Sequence, residues 1–177
     1  DTAGRYTTQD SEAAVDSAAW SGFLELLRKY RRRRPINGAI VAFSLAALMT
    51  LDEAALAHHY RAIRRRLQEL VDQLGISIPI YLLLTKADLL SGFVQFFDDL
   101  GREERHQVWG TTFPLQADSS DYATRFRQEF DLLHERLTNR LHWRLNSERD
   151  HTRRALILAF PQQFASIREA IERFLHE

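Results

Sequence analysis

The chain has 177 residues, enough for one domain with a real core, because a chain of this size buries about 70% of its unfolded surface. Apolar residues make up 45% of it, which excludes a disordered protein. Basic and acidic residues number 24 each, and this zero net charge argues against nucleic acid as the main partner. The absence of cysteine excludes disulfides and thiolate metal sites, and it is compatible with the cytosol.

No transmembrane segment is predicted. The longest nearly apolar run, residues 39–51, is shorter than the roughly twenty residues that a membrane-spanning helix needs. The chain begins at Asp1 without an initiator methionine, so we expect a fragment whose membrane attachment, if any, lies outside it.

A first helix is predicted over 12–32, with Asp10 or Ser11 as its cap. It ends in the basic run Arg31–Arg34, and Pro35 stops it. Four consecutive arginines could contact acidic lipid or RNA. Cations are also favoured by the dipole at a helix carboxyl end, and we favour this interpretation as a solvated helix end.

A strand over 36–43 and a long amphipathic helix over 53–74 follow. Asp52 is the predicted cap of this helix and Gly75 its end. The next segment, 78–84, is nearly all apolar and predicts a strand buried on both faces.

The polar cluster Thr85-Lys86-Ala87-Asp88 comes directly after that strand. Ligands of open parallel sheets bind beyond the carboxyl ends of strands, so a site is expected here. The Asp88 carboxylate could accept two N–H groups of a guanine edge while the stem of Lys86 lies along the base. The alternative is an ordinary polar turn.

The second half of the chain continues the alternation of helix and strand. Residues 91–100 carry an aromatic stripe that we interpret as core, and a long helix is predicted over 121–145. A third buried strand is predicted over 155–160, broken by Pro161 and followed by a helix over 163–175. Such alternation predicts an α/β fold of three layers around a mostly parallel sheet.

The order of motifs resembles the second half of a P-loop GTPase. In that family Asp-x-x-Gly closes the third strand and Asn/Thr-Lys-x-Asp follows the fifth. The resemblance implies that Asp1 lies near a magnesium ion through water and that the amide of Gly4 faces the γ-phosphate. It also implies that Lys86 and Asp88 hold the guanine, with Thr85 in place of the commoner asparagine.

A narrower resemblance covers essentially the whole chain. The sequence is similar to the cytoplasmic region of IcmF/TssM proteins, which are inner-membrane components of the bacterial type VI secretion system. The similar segments are Asp1 to Gln9, Arg-Pro-Ile-Asn-Gly at 34–38, Tyr81 to Leu90 followed by Gly92-Phe93, Phe-Phe-Asp-Asp-Leu at 96–100, Glu-Glu-Arg-x-Gln-Val-Trp-Gly at 103–110 and Phe-Pro-Gln-Gln-Phe at 160–164. Membership implies a domain at the cytoplasmic face of the inner membrane, near a TssL-like partner and the baseplate. The function expected from it is that of an assembly scaffold or switch.

GTP hydrolysis is not expected from the chain as it stands. No glycine is followed by lysine, so the Gly-x-x-x-x-Gly-Lys-Ser/Thr loop that neutralises developing phosphate charge is missing. Arg5 occupies the place of a water-orienting glutamine, and Pro161 to Gln163 replace the usual second guanine loop. The alternative is a working GTPase that binds GTP and Mg²⁺ once joined to an upstream loop. A sheet without its first strands would also expose an edge, so we expect a partner or self-association.

Overall fold

The computed structural model describes residues 13–113 and 119–176. In chain order the elements are α1 (Ala13–Tyr30), β1 (Ala39–Ser44), α2 (Leu45–Thr50), α3 (Glu53–Leu74), β2 (Ile80–Thr85), a 3₁₀ turn (Ala87–Leu89), α4 (Phe93–Phe97), α5 (Arg102–Arg105), α6 (Ser119–Ser147), α7 (His151–Ser166) and α8 (Arg168–His176). The described residues form two compact units. The first comprises 13–43 and 51–83, and the second comprises 44–50 and the described part of 84–176.

The predicted fold class, a three-layer α/β fold with a mostly parallel sheet like the second half of a P-loop GTPase, is wrong. Helix accounts for 69% of the structure. In the part of the chain that the structure describes, the sheet consists of two parallel strands, β1 beside β2. The predicted third strand over 155–160 lies inside α7.

The apolar run at 155–160 is helical because it belongs to a longer capped segment. A short apolar run fits a buried strand and a buried helix equally well, so its length and flanks decide between them. The carboxylate of Asp150 accepts a hydrogen bond from the Arg153 amide at 2.8 Å and starts the helix. Ile157, Phe160 and Phe164 are then buried on one face at helical spacing.

Pro161 does not break the segment as predicted. It lies inside α7, where its ring is buried. A proline in a helix interior removes one backbone hydrogen bond and costs about 3 kcal/mol. Burial of Phe160 and Phe164 on either side offsets that cost, so the helix runs on to Ser166.

The first unit is built on α1 and α3. Its core contains Trp20, Leu24, Leu70 and Leu74. The prediction for α3 is confirmed at both ends: Asp52 accepts a hydrogen bond from the Ala55 amide at 2.7 Å, and Gly75 adopts a left-handed conformation with φ of 63°. The strands add an apolar surface that faces outward, since Ile40 is 71% exposed.

The second unit packs α7 against α6 and against the short helix α4. Gly92, just before α4, has φ of 83°, and a Cβ atom there would lie 2.2 Å from the Leu156 carbonyl oxygen. Only glycine allows this approach. It brings Phe96 of α4 onto Phe160, and both are fully buried. The aromatic stripe predicted to be core is therefore confirmed as core.

Candidate functional site

The predicted guanine-binding cluster forms a tight turn at the end of β2. Thr85 ends the strand, Lys86 turns the chain with φ of 59°, and Asp88 lies in the 3₁₀ turn. The Leu89 and Leu90 amides donate back to the carbonyls of Lys86 and Ala87 at 3.2 and 3.0 Å. Leu90 is 2% exposed and anchors the turn.

The turn leaves its polar side chains accessible. Lys86 and Asp88 are both exposed, whereas Thr85 is half-buried. The left-handed conformation at a non-glycine residue costs of order 1 kcal/mol, so this turn is held by its surroundings. The short helix α2 packs against it and supplies that support. A carboxylate and an ammonium group are thus available to a ligand on one hydrogen-bonded turn.

The remaining predicted site residues lie outside the described part of the chain. Asp1, predicted near a magnesium ion, and Gly4, predicted at the γ-phosphate, both precede residue 13. Among residues 13–113 and 119–176, no group of three or more histidine, aspartate or glutamate side chains is arranged to hold a metal ion. The structure therefore brings together Thr85, Lys86 and Asp88 alone.

Sequence reasoning missed a network of arginines and carboxylates in the second unit. Arg144 of α6 is 4% exposed and donates to the carbonyls of Gln95 and Phe96 at 2.8 and 3.3 Å. It also pairs with Asp98 at 2.5 Å and with Asp99 at 3.3 Å. Because the arginine fork is satisfied on several sides, the carboxyl end of α4 is fixed to α6.

Two further arginines extend this network. Arg153 of α7 pairs with Asp98 and, at 2.8 Å, with Glu148. Arg140 of α6 pairs with Asp99 at 2.6 Å. The hydrogen bond from Arg153, followed by the backbone amide of Asp150, lowers the pKa of Glu148 to about 2. The carboxylates are engaged by cations, so the network is suited to holding helices together. The adjacent pair Asp98 and Asp99 was the one sign of this network in the sequence. Its arginine partners are distant along the chain, so spacing could not identify them.

One side of α6 carries apolar side chains that the unit leaves uncovered. Leu132 is 45% exposed and Trp143 is 58% exposed. They are eleven residues apart, which is close to three helical turns, so they lie on the same face. The guanidinium of Arg140 lies over the Trp143 ring at 5.4 Å from its centroid. This exposed tryptophan is therefore positioned by an arginine that also belongs to the network.

The described residues thus offer an exposed polar turn at Lys86 and Asp88 and an exposed tryptophan on α6. The family model described as the IcmF-related N-terminal domain matches residues 13–177, and the chain belongs to that family. This confirms the family resemblance inferred from the sequence motifs.

A curated relative supports the same placement. The chain is 56% identical over 178 residues to a protein named type VI secretion system component TssM1 from Pseudomonas aeruginosa. The match covers 99% of this chain and 16% of that relative. The comparison with solved structures found no match. None of the helices in the described ranges combines the length and apolar character needed to cross a membrane.

Proposed function

We propose that this chain is an assembly scaffold of a type VI secretion membrane complex. In this proposal it lies at the cytoplasmic face of the inner membrane and uses α6 to contact a TssL-like inner-membrane protein or the baseplate. The observation that carries the proposal is Trp143, 58% exposed and held under the Arg140 guanidinium. Family membership and the name of the relative support the secretion system as its setting.

The physical argument rests on which side chains dominate protein interfaces. Tryptophan and arginine are enriched among the few residues that supply most binding energy. Trp143 and Arg140 are adjacent on α6, and the 2.6 Å pair between Arg140 and Asp99 restricts their motion. A positioned side chain loses less conformational entropy on binding, so this face is better prepared for a partner than a mobile loop.

The test is Trp143→Ala in the whole protein, with co-purification of the TssL-like and baseplate partners and secretion as readouts. We expect roughly tenfold weaker association or more, the size usual for a central interface aromatic. Leu158→Ala is the matched control, because Leu158 is also 58% exposed and lies on α7. Equal losses from both variants, or none from either, would contradict an interface on α6.

A nucleotide switch is a second candidate, favoured by the exposed Lys86 and Asp88 on one turn. In this proposal the whole protein binds GTP with Mg²⁺, and Asp1 and Gly4 sense the phosphate. Calorimetric titration of GTP with magnesium into the whole protein tests it, with ATP as the control. Micromolar binding that is lost in Asp88→Asn supports the switch. Binding of neither nucleotide removes the switch and leaves the scaffold.

A further inference from the structure

We propose that α1 and the cations after it dock on the surface of an anionic lipid bilayer. Two features carry this inference. The first is the apolar stripe, defined as Phe23, Leu26 and Tyr30. The second is the basic run, defined as Arg28, Lys29 and Arg31–Arg34. This inference goes beyond the scaffold function and rests on the first unit alone.

The apolar stripe adjoins the face of α1 that builds the core, and the ring centroids of Phe23 and Trp20 are 5.8 Å apart. Trp20 and Leu24 are 6% and 1% exposed and belong to the core, and Leu27 packs against it. The stripe is 39% exposed at Phe23, 55% at Leu26 and 73% at Tyr30. Its members are spaced three and four residues apart, so they lie together on a second face of the helix.

The basic run continues directly from this stripe. All six cations are exposed, and those from Lys29 onward line an open surface depression. No ion pair joins any of the six to a carboxylate within the described ranges 13–113 and 119–176. Glu25 is the sole acidic residue between positions 17 and 38. The segment therefore has a strong local positive charge although the whole chain is neutral.

The basic run is also held in place by the fold. The Arg31 amide donates to the Leu27 carbonyl at 2.8 Å and extends the hydrogen bonding of the helix end. On the other side Pro35 is buried and Ile36 packs against the core of the first unit. Both ends of Arg31–Arg34 are thus anchored, and these four cations directly follow Tyr30, the last residue of the stripe.

Apolar side chains beside a cluster of cations match the chemistry of an anionic bilayer. An amphipathic helix lies in the interface with its apolar side chains below the headgroups, and clusters of four to eight basic residues attract anionic lipids. An aromatic residue such as Tyr30 is favoured at that depth. Nucleic acid would use the cations but would gain nothing from Leu26, which is why a bilayer fits these residues better.

The first test is co-sedimentation of the whole 177-residue chain with vesicles of equal parts phosphatidylglycerol and phosphatidylcholine. Vesicles of pure phosphatidylcholine are the reference. We expect binding to the anionic vesicles that weakens as salt is raised, because salt screens exposed charges. No binding to anionic vesicles at low salt would overturn the proposal.

Two variants separate the electrostatic and apolar contributions. Replacing Arg31–Arg34 by glutamine should weaken partitioning by at least about 100-fold, since each cation near an anionic surface changes it about fivefold. The exposed pair Leu26→Ser and Tyr30→Ser should weaken it by about tenfold or more. Exposed arginines of α3 give the matched control, in which Arg61, Arg64 and Arg65 become glutamine. The control removes three charges and the first variant four, so the losses are compared per charge. An equal loss per charge in the control would mean that net charge alone drives binding, which contradicts the proposal.

Because the chain has no native cysteine, a single introduced cysteine can carry a dye that reports whether the stripe enters the bilayer. An environment-sensitive dye at Leu26→Cys should shift to the blue on anionic vesicles, whereas the same dye at Glu25→Cys, exposed on another side of α1, should shift less. Circular dichroism confirms that each variant is folded, and the labelled proteins keep the basic run intact. Vesicle binding without the shift at residue 26 would overturn docking through the stripe. Tight binding of single-stranded RNA with the same affinity in the parent chain and in Leu26→Ser would assign the cations to nucleic acid. That result would also overturn the proposed docking on a bilayer.

Discussion

The arginines of the second unit and those of the basic run differ in what neutralises them. Arg144 is 4% exposed and meets two aspartates and two backbone carbonyls. Arg31–Arg34 are exposed and pair with no carboxylate of the described residues. The same residue type thus stabilises packing in one region and remains available to an outside surface in the other. Burial and carboxylate neighbours distinguish the two cases.

The largest expected effect is the loss of the buried arginine. Arg144→Ala should lower the free energy of unfolding by about 4 kcal/mol, because removing one member of a buried charge network leaves its partners unsatisfied. Urea denaturation measures this change. Arg33→Ala, in the basic run, is the matched control and should change stability by less than about 0.5 kcal/mol. Equal losses of stability in Arg144→Ala and Arg33→Ala would contradict the distinction between the buried network and the exposed basic run.

Glycine-to-alanine substitutions should change the free energy of unfolding in opposite directions at Gly92 in the second unit and at Gly22 in the first. Gly92→Ala places a methyl group against the Leu156 carbonyl oxygen and needs φ of 83°, so we expect about 2 kcal/mol of destabilisation. It would also disturb α4, which carries Asp98 toward Arg153. Gly22→Ala in α1 meets nothing within 4 Å and should stabilise the chain by about 0.5–1 kcal/mol. Thermal unfolding of the two variants gives both signs, and destabilisation by Gly22→Ala would contradict the open face of α1.

Local signals predicted the ends of α3 correctly but not the burial of β2, which was predicted to be buried on both faces although Ile80, Tyr81 and Leu83 are 49%, 55% and 53% exposed. The ends of α3 were correct because Asp52 and Gly75 act on adjacent backbone, where cap chemistry decides the outcome. The strand predicted at 155–160 was wrong because an uninterrupted apolar run shows no period in the sequence, although in the structure Ile157 and Phe160 are buried and Leu158 is exposed. The pairing of Arg144 with Asp98 spans 46 residues, and no spacing rule relates such positions. Lys86 and Asp88 were correctly located after a strand, whereas Thr85 is the last residue of β2, and their predicted contact with guanine stays a prediction.

Lowering the pH should reduce the stability that the arginine–carboxylate network contributes, whereas the charge of the basic run should not change. Arg153 and backbone amides lower the pKa of Glu148 from its usual 4.5 to about 2 in the folded chain. A group with a lowered folded pKa contributes stability above its unfolded pKa and loses it as pH falls through the folded value. Glu148→Gln should therefore differ most from the parent above about pH 4.5 and converge on it toward about pH 2. Denaturation across this range measures the difference. If the free energies of unfolding of the two proteins differed by the same amount at every pH, the stabilisation would not depend on the ionisation of Glu148.

Neutralising one residue of the basic run should have the smallest effect. Arg33→Gln should change the free energy of unfolding by less than about 0.5 kcal/mol, with a slight gain because four adjacent like charges repel. The gain should disappear at high salt, which screens exposed charges. Urea denaturation at low and high salt measures both features. A loss above about 1 kcal/mol would mean that Arg33 pairs within the fold, and the basic run would then resemble the network instead of differing from it.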